Sequence, residues 1–204
     1  MPLFLKTKML EPLKYGNTNT YLIKGENANL LVDTDWAGTL QAFFQELKRH
    51  DIKLSDITHI IATHYHPDHI GIVGELVQMG VKLIIVDAQL PYIHFADGIF
   101  AKDKSINYKI IDEREAIVIK ASESKDFFKR LGIDGEIIQT PSHSEDSISL
   151  ILGSKDCIVG DLEPFDYISG YGCNAKLLED WNAIMRFKPK TIHFGHSPQK
   201  TIEH

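Results

Sequence analysis

The chain has 204 residues, 43% of them hydrophobic, and a formal net charge of −6 with its histidines neutral. This is the size of one ordinary domain spanning 1–204, able to bury a sizeable core without a disulfide or an oligomer, although a homodimer is compatible with it. The acidic balance and the scattered Lys and Arg argue against nucleic acid and against an anionic membrane surface, because phosphate contacts need clustered basic residues.

The opening MPLFLKTKML lacks the apolar core of a signal peptide, and no run approaches about 18 apolar residues, so a cytoplasmic location is expected. Strand-like runs rich in Ile and Val come first at 21–24 and 29–33. Leu40, Phe43, Phe44 and Leu47 then share one face of a helix after Trp36. A strand over 57–62, a helix over 71–79 and a strand over 81–87 follow. The stretch 91–109 mixes aromatic and charged residues without a clean period. It reads as a helical insertion or a loop over a site, and a substrate-covering insertion is expected at about 91–115. Beyond it lie a strand at 117–119, a helix over 124–131 closed by Gly132, and strands at 136–140, 148–152 and 157–160. A helix over 176–187, stopped by Lys188-Pro189, and a strand at 191–194 complete the series. Strands interleaved with helices make the fold class α/β. The two cysteines, Cys157 and Cys173, match no zinc-finger or thioredoxin spacing and read as free thiols.

Chemistry concentrates in Thr63-His64-Tyr65-His66-Pro67-Asp68-His69. Alternate side chains of an extended segment point the same way, so His64 and His66 can converge on one cation. Asp68 and His69 follow where the chain turns into a helix and can face a neighbouring position. Imidazole nitrogen and carboxylate oxygen are the ligands of zinc and related divalent ions. Four such side chains in six residues make an ordinary polar turn a poor explanation. His143, Asp161 and His196 have the same character, each at the C-terminal end of a predicted strand, where α/β proteins assemble their sites. Singly, each of these three reads equally well as a turn, cap or structural residue.

Together these residues resemble the metallo-β-lactamase superfamily, whose H-x-H-x-D-H string is followed by a His, an Asp and a His and preceded by a strand-end Asp. The matches here are His64-x-His66-x-Asp68-His69, His143, Asp161, His196 and Asp33. The resemblance spans 33–196 and implies an αββα sandwich of two mixed sheets flanked by helices. It implies two divalent metal ions, most naturally zinc, with iron or manganese as alternatives. His64, His66 and His143 would hold the first ion, and Asp68, His69 and His196 the second. Asp161 would bridge them, and Asp33 would support the metal loop without binding metal. The expected chemistry is hydrolysis of a small ester, thioester, lactone or phosphodiester by a metal-coordinated hydroxide, with Asp68 handling a proton.

Departures narrow the substrate. The main zinc β-lactamase subclass has Cys where this chain has Asp161. Hydroxyacylglutathione hydrolases carry a helical domain for glutathione, whereas eight residues follow His196 here. Quorum-signal lactonases place Tyr three residues after the bridging Asp, where this chain has Pro164. Ser142 and Ser144 flank His143 where Gly and Thr are common. Tyr167, Phe165 and Tyr171 could line a substrate pocket or simply pack, as could His94 and Tyr92 in the insertion. His50, His59, His193 and His204 match no motif position and read as surface or structural. Two other readings compete: a mononuclear iron oxidoreductase of the persulfide dioxygenase type, and a non-catalytic metal-binding or sensing module.

Overall fold

The computed structural model describes residues 9–168 and 174–203; Tyr171, Cys173 and His204 lie outside the described residues. The first half of the chain runs β1 Leu10–Leu13, β2 Thr20–Lys24, β3 Asn29–Val32, α1 Leu40–Arg49, β4 His59–Ile61, α2 Pro67–Ile70, α3 Val73–Gln78, β5 Lys82–Val86, α4 Asp97–Phe100 and β6 Ile117–Ile119. The second half runs α5 Ser124–Leu131, β7 Gly135–Gln139, β8 Ile148–Leu152, β9 Asp156–Gly160, α6 Ala175–Met185, β10 Thr191–Phe194 and β11 Lys200–Thr201.

Strands β1 to β6 form one sheet in sequence order, antiparallel through β3 and parallel from there on. The second sheet has the order β11-β10-β9-β8-β7, with β9 and β10 parallel and its other pairs antiparallel.

Period-two alternation then sorts the apolar residues into three layers. Leu22, Leu31, Ile60, Leu83 and Ile85 face Phe43 and Leu47 of α1 and Leu76 of α3. Their neighbours Ile23, Leu30, Val32, Ile61, Ile84 and Val86 face the opposite way and meet Leu150 and Ile158 of the second sheet. Ile151, Cys157, Val159 and Ile192 on that sheet's far side pack against Leu177, Trp181 and Ile184 of α6. Strands buried on both faces explain why the runs read as nearly continuous hydrophobic stretches. The result is the αββα sandwich of two mixed sheets expected from the sequence. No helix among the described residues is long and apolar enough to cross a membrane.

Several boundaries differ from expectation. β1 and β11 carry too little signal: β1 contains Pro12, tolerated because the strand lies on a sheet edge, and β11 has two residues. The strand expected over 57–62 is limited to His59–Ile61. The helix expected over 71–79 is α3, Val73–Gln78, and a separate short helix, α2, precedes it at Pro67–Ile70. Tertiary bonds separate the two helices: Gly71 N–H donates to the Asp35 carbonyl at 3.0 Å, and the His69 carbonyl accepts from Thr34 N–H at 2.9 Å. The insertion holds a 3-10 turn over Asp87–Tyr92, the short α4 and a second 3-10 turn at Glu113–Glu115.

Candidate metal centre

The ligand-bearing loops leave the strands at one end of the sandwich, and buried polar side chains fix each loop. Past β4, Tyr65 N–H donates to Asp146 Oδ2 at 2.6 Å. Gln89, wholly buried, donates its amide to the carbonyls of Ala62 at 3.0 Å and Asp146 at 3.2 Å. His66 is extended, and Pro67 occupies the first turn of α2, where its missing N–H costs nothing. The chain therefore switches from strand-like to helical between His66 and Asp68, which sends the two halves of the string toward adjacent positions. The loop between β7 and β8 carries His143 and is tied to α6 by Ser142 N–H donating to Asp180 Oδ2 at 2.8 Å. Asp161 follows β9 directly. The His196 loop is fastened by Asn19, whose amide donates to the carbonyls of Phe194 and Ser197, each at 2.9 Å.

Glycine is required at one close approach. A Cβ on Gly195 would lie 2.4 Å from Asp161 Oδ1 and 2.9 Å from His69 Cε1. Asp33 contributes through strain and hydrogen bonding. Its φ of 61° is left-handed, a rare conformation for a residue with a Cβ. Its carboxylate accepts from Thr63 N–H at 2.6 Å and Thr63 Oγ1 at 2.8 Å, and its Oδ2 lies 3.0 Å from His69 Nδ1. That last contact orients the His69 ring and leaves Nε2 facing the cluster.

The predicted ligands converge in two sets. His64 Nε2 and His143 Nε2 stand 3.0 and 3.1 Å from His66 Nδ1. His196 Nε2 stands 3.3 Å from His69 Nε2 and 3.1 Å from Asp68 Oδ2. Asp161 lies between the sets. Its Oδ1 is 3.2 Å from His69 Nε2, and its Oδ2 is 3.4, 3.8 and 3.9 Å from His196, His143 and His64 Nε2. Three groups of donor atoms therefore fit within a single ion's reach: His64-His66-His143, His64-His69-Asp161 and Asp68-His69-His196. His64 and His69 are buried, while His196 and Asp68 are each about one-third exposed, so the cluster opens to solvent on one side.

The charges fit a cation. Burial, followed by the neighbouring histidines, pushes the His64 imidazolium well below its ordinary pKa, leaving a neutral ring with a free lone pair. Burial lowers His143 in the same way. It would lower His69 too, but the Asp33 and Asp161 carboxylates outweigh it and raise His69 to about 10. Burial works against ionising Asp161, yet His69, His196 and His143 hold its carboxyl below the usual range. Imidazole nitrogens facing one another at 3.0–3.3 Å place lone pair against lone pair unless a proton or cation sits among them. Two nitrogens bound tetrahedrally at about 2.0–2.1 Å would stand about 3.4 Å apart, close to these spacings. Asp161 Oδ1 is also buried without a well-formed hydrogen bond. The residues present fit metal ions.

The substrate-contact candidates fare differently. Phe165 and Tyr167 are each half exposed beyond Asp161, with the Phe165 ring edge-on to Trp181 at 6.1 Å. Both ring nitrogens of His94 are engaged by insertion carboxylates, Asp97 at 2.9 Å and Glu113 at 3.3 Å. Its neighbour Phe95 is the residue that meets the cluster, its ring centroid 5.5 Å from that of His66. Phe95, Gln89, Asp146 and Asp180 escaped sequence reasoning. Asp146, three residues beyond His143, offered a weak signal; nothing in the local pattern marks Gln89 or Asp180.

A model described as "Metallo-beta-lactamase superfamily" matches residues 13–196. The probable metallo-hydrolase MJ0888 of Methanocaldococcus jannaschii is 34% identical over 150 residues, covering 72% of this chain and 68% of that protein. The atrochrysone carboxyl ACP thioesterase AacuM of Aspergillus aculeatus is 26% identical over 163 residues, covering 78% of this chain. The match spans only 42% of that thioesterase. Among solved structures, the BLEG-1 B3 metallo-beta-lactamase superposes with a TM-score of 0.69 at 20% identity, covering 95% of this chain and 94% of that one. TTHA1623 in a di-iron-bound form gives 0.69 at 20% identity, covering 94% of each chain. At that identity the two structures speak to the fold alone. With the family model spanning almost all of a sandwich that gathers these His and Asp side chains at one end, the chain belongs to the metallo-beta-lactamase superfamily.

Proposed function

We propose that this metallo-hydrolase works with two divalent ions, zinc in the first instance, and cleaves an ester, thioester or lactone bond of a small molecule. The observation that carries the reading is Asp161, whose two oxygens reach toward both three-residue sets. Three imidazoles in the first set favour zinc over the harder ions that prefer oxygen. Bound there, such ions would lower the pKa of water to about 7 and polarise a carbonyl oxygen.

The chain's own residues do the rest. Asp33 holds the His69 ring in one orientation, and the Asp146–Gln89 pair holds the His64 and His143 loops together. Asp68, partly exposed and 3.1 Å from His196 Nε2, is placed to take a proton from an attacking water and return it to the leaving group. A cavity of about 280 Å³ lined by His143, Asp161, Glu163, Pro164, Phe194 and His196 opens on the cluster and suits a small substrate. The thioesterases among the relatives support an acyl substrate. Small phosphodiesters share the same chemistry and belong in the test.

Protein purified without added metal should carry about two zinc equivalents and turn over at least one generic ester, thioester or lactone. His66→Ala should lose both metal and turnover. One iron with oxygen consumption would replace this reading with an oxidoreductase. Full loading without turnover of any substrate class would leave a binding module.

A further inference from the structure

Phe95 is exposed, carried on a segment that its neighbours tie down, and its ring lies against that of His66. Its segment turns helically, with Ile93, Ala96 and Phe100 buried on the inner stripe. The outer stripe of such a turn is ordinarily polar, yet it carries Phe95, 55% exposed, and Ile99, 37% exposed, four residues apart. Neither residue is needed to fill the core.

The segment is not a loose loop. Tyr92 Oη donates to Glu145, two residues beyond His143, at 2.5 Å. Asp97 joins His94 at 2.9 Å and accepts from Tyr108 Oη at 2.8 Å. Phe100 lies between the Tyr108 ring, stacked at 4.3 Å, and the edge of Trp36 at 5.1 Å. The Phe95 ring is thereby held 5.5 Å from the His66 ring, tilted by 39°. An aromatic face held open to solvent beside the cluster gains when an apolar group of a substrate lies against it.

We propose that Phe95, with Ile99 behind it, is the specificity wall of the site and binds an apolar hydrocarbon group of the substrate next to the scissile bond. The proposal rests on the hydrolase reading above. It selects, within the ester and thioester class, substrates whose acyl or leaving group is an uncharged chain.

Each methylene fully removed from water is worth about fourfold in binding, and an open wall covers one side of a chain, so about twofold per methylene is expected here. The metal-loaded protein is to be assayed on two p-nitrophenyl and thioester series, one varying the acyl chain from two to eight carbons and one varying the leaving group. Straight-chain carboxylates and alcohols, the two product classes, are titrated calorimetrically in parallel. The expected result is a rise in kcat/KM of about twofold per methylene in one series, matched by a rise in carboxylate affinity where that series is the acyl one and in straight-chain alcohol affinity where it is the leaving group. Phe95→Ala should flatten both, mostly through KM and with a larger loss for eight-carbon than for acetyl substrates, while metal content and Tm are kept. Phe95→Leu should keep most of the slope. A slope unaltered in Phe95→Ala overturns the proposal, as does equal loss for short and long substrates together with lost metal. The titrations read the wall even without turnover. Chain-length-dependent binding with no hydrolysis would therefore fail the hydrolase reading alone, and hydrolysis without such dependence would fail the wall alone.

Discussion

Strands β9 and β10 carry one Asp–His pair and the loops directly after them a second, and the pairs differ. His193 Nε2 lies 2.8 Å from Asp156 Oδ1, the ring is nearly buried, and its edge packs on Tyr21 at 5.4 Å. A few residues on, His196 stands among Asp68, Asp161 and His69, all within 3.4 Å and none satisfied by it alone. The same contrast runs through the molecule. His50 sits between Glu11 and Glu46, and His94 between Asp97 and Glu113, each ring already matched to carboxylates. The five cluster histidines instead face other imidazoles. A histidine whose ring nitrogens meet only carboxylates is complete as it stands, whereas cluster histidines whose nitrogens also face one another, as His69 and His196 do at 3.3 Å, lack a shared cation.

The comparison breaks most sharply on paired substitutions. His66→Ala should cut hydrolysis at least about a thousandfold and remove metal while leaving the fold, because its neighbours contribute nothing without the shared ion. His193→Ala should leave kcat/KM within about twofold. If both variants lose activity equally, the distinction between the two regions fails. Gly195→Ala forces a Cβ onto Asp161 and His69 and should reduce activity about a hundredfold, with metal content showing whether the ligands have moved. Asp33→Asn, which weakens the brace on His69, should cost about 10–100-fold in metal affinity or activity.

Smaller effects test the satisfied region. His193→Ala should lower stability by about 1 kcal/mol, read from denaturant unfolding, since Asp156 loses a partner at a partly exposed site. Glu75, whose bonded partner is Asn107, gives a pH signature of its own. Its carboxyl is buried with Oε2 unpartnered, and burial raises its pKa despite the pull of Lys109. The folded state thus holds this proton more tightly than the unfolded chain. Its contribution is full below the ordinary value of about 4.5 and is lost as pH rises through the raised one. Glu75→Gln keeps an acceptor for Asn107 and should gain on wild type by a few degrees in Tm near neutral pH, with no gain at pH 4.

Much was legible beforehand, for physical reasons. Strands buried on both faces leave apolar runs visible without structural context, so most strands were found within a residue or two. The helix expected over 71–79 starts two residues later, at Val73, because Thr34 and Asp35, remote in sequence, take the hydrogen bonds at His69 and Gly71. β1 was lost to Pro12, a strand-breaker everywhere except at an edge.

For the centre, the string His64–His69 determined by itself that metal chemistry belongs here, since ligands within six residues must be neighbours in space. The chain's resemblance added His143, Asp161 and His196. Only the tertiary structure decided that Asp161 lies between the two sets, that Gln89 and Asp146 hold the ligand loops together, and that Phe95 rather than His94 meets the cluster. Those facts depend on contacts between residues tens of positions apart. No local pattern encodes such contacts, because the packing of the two sheets alone brings the loops to one end.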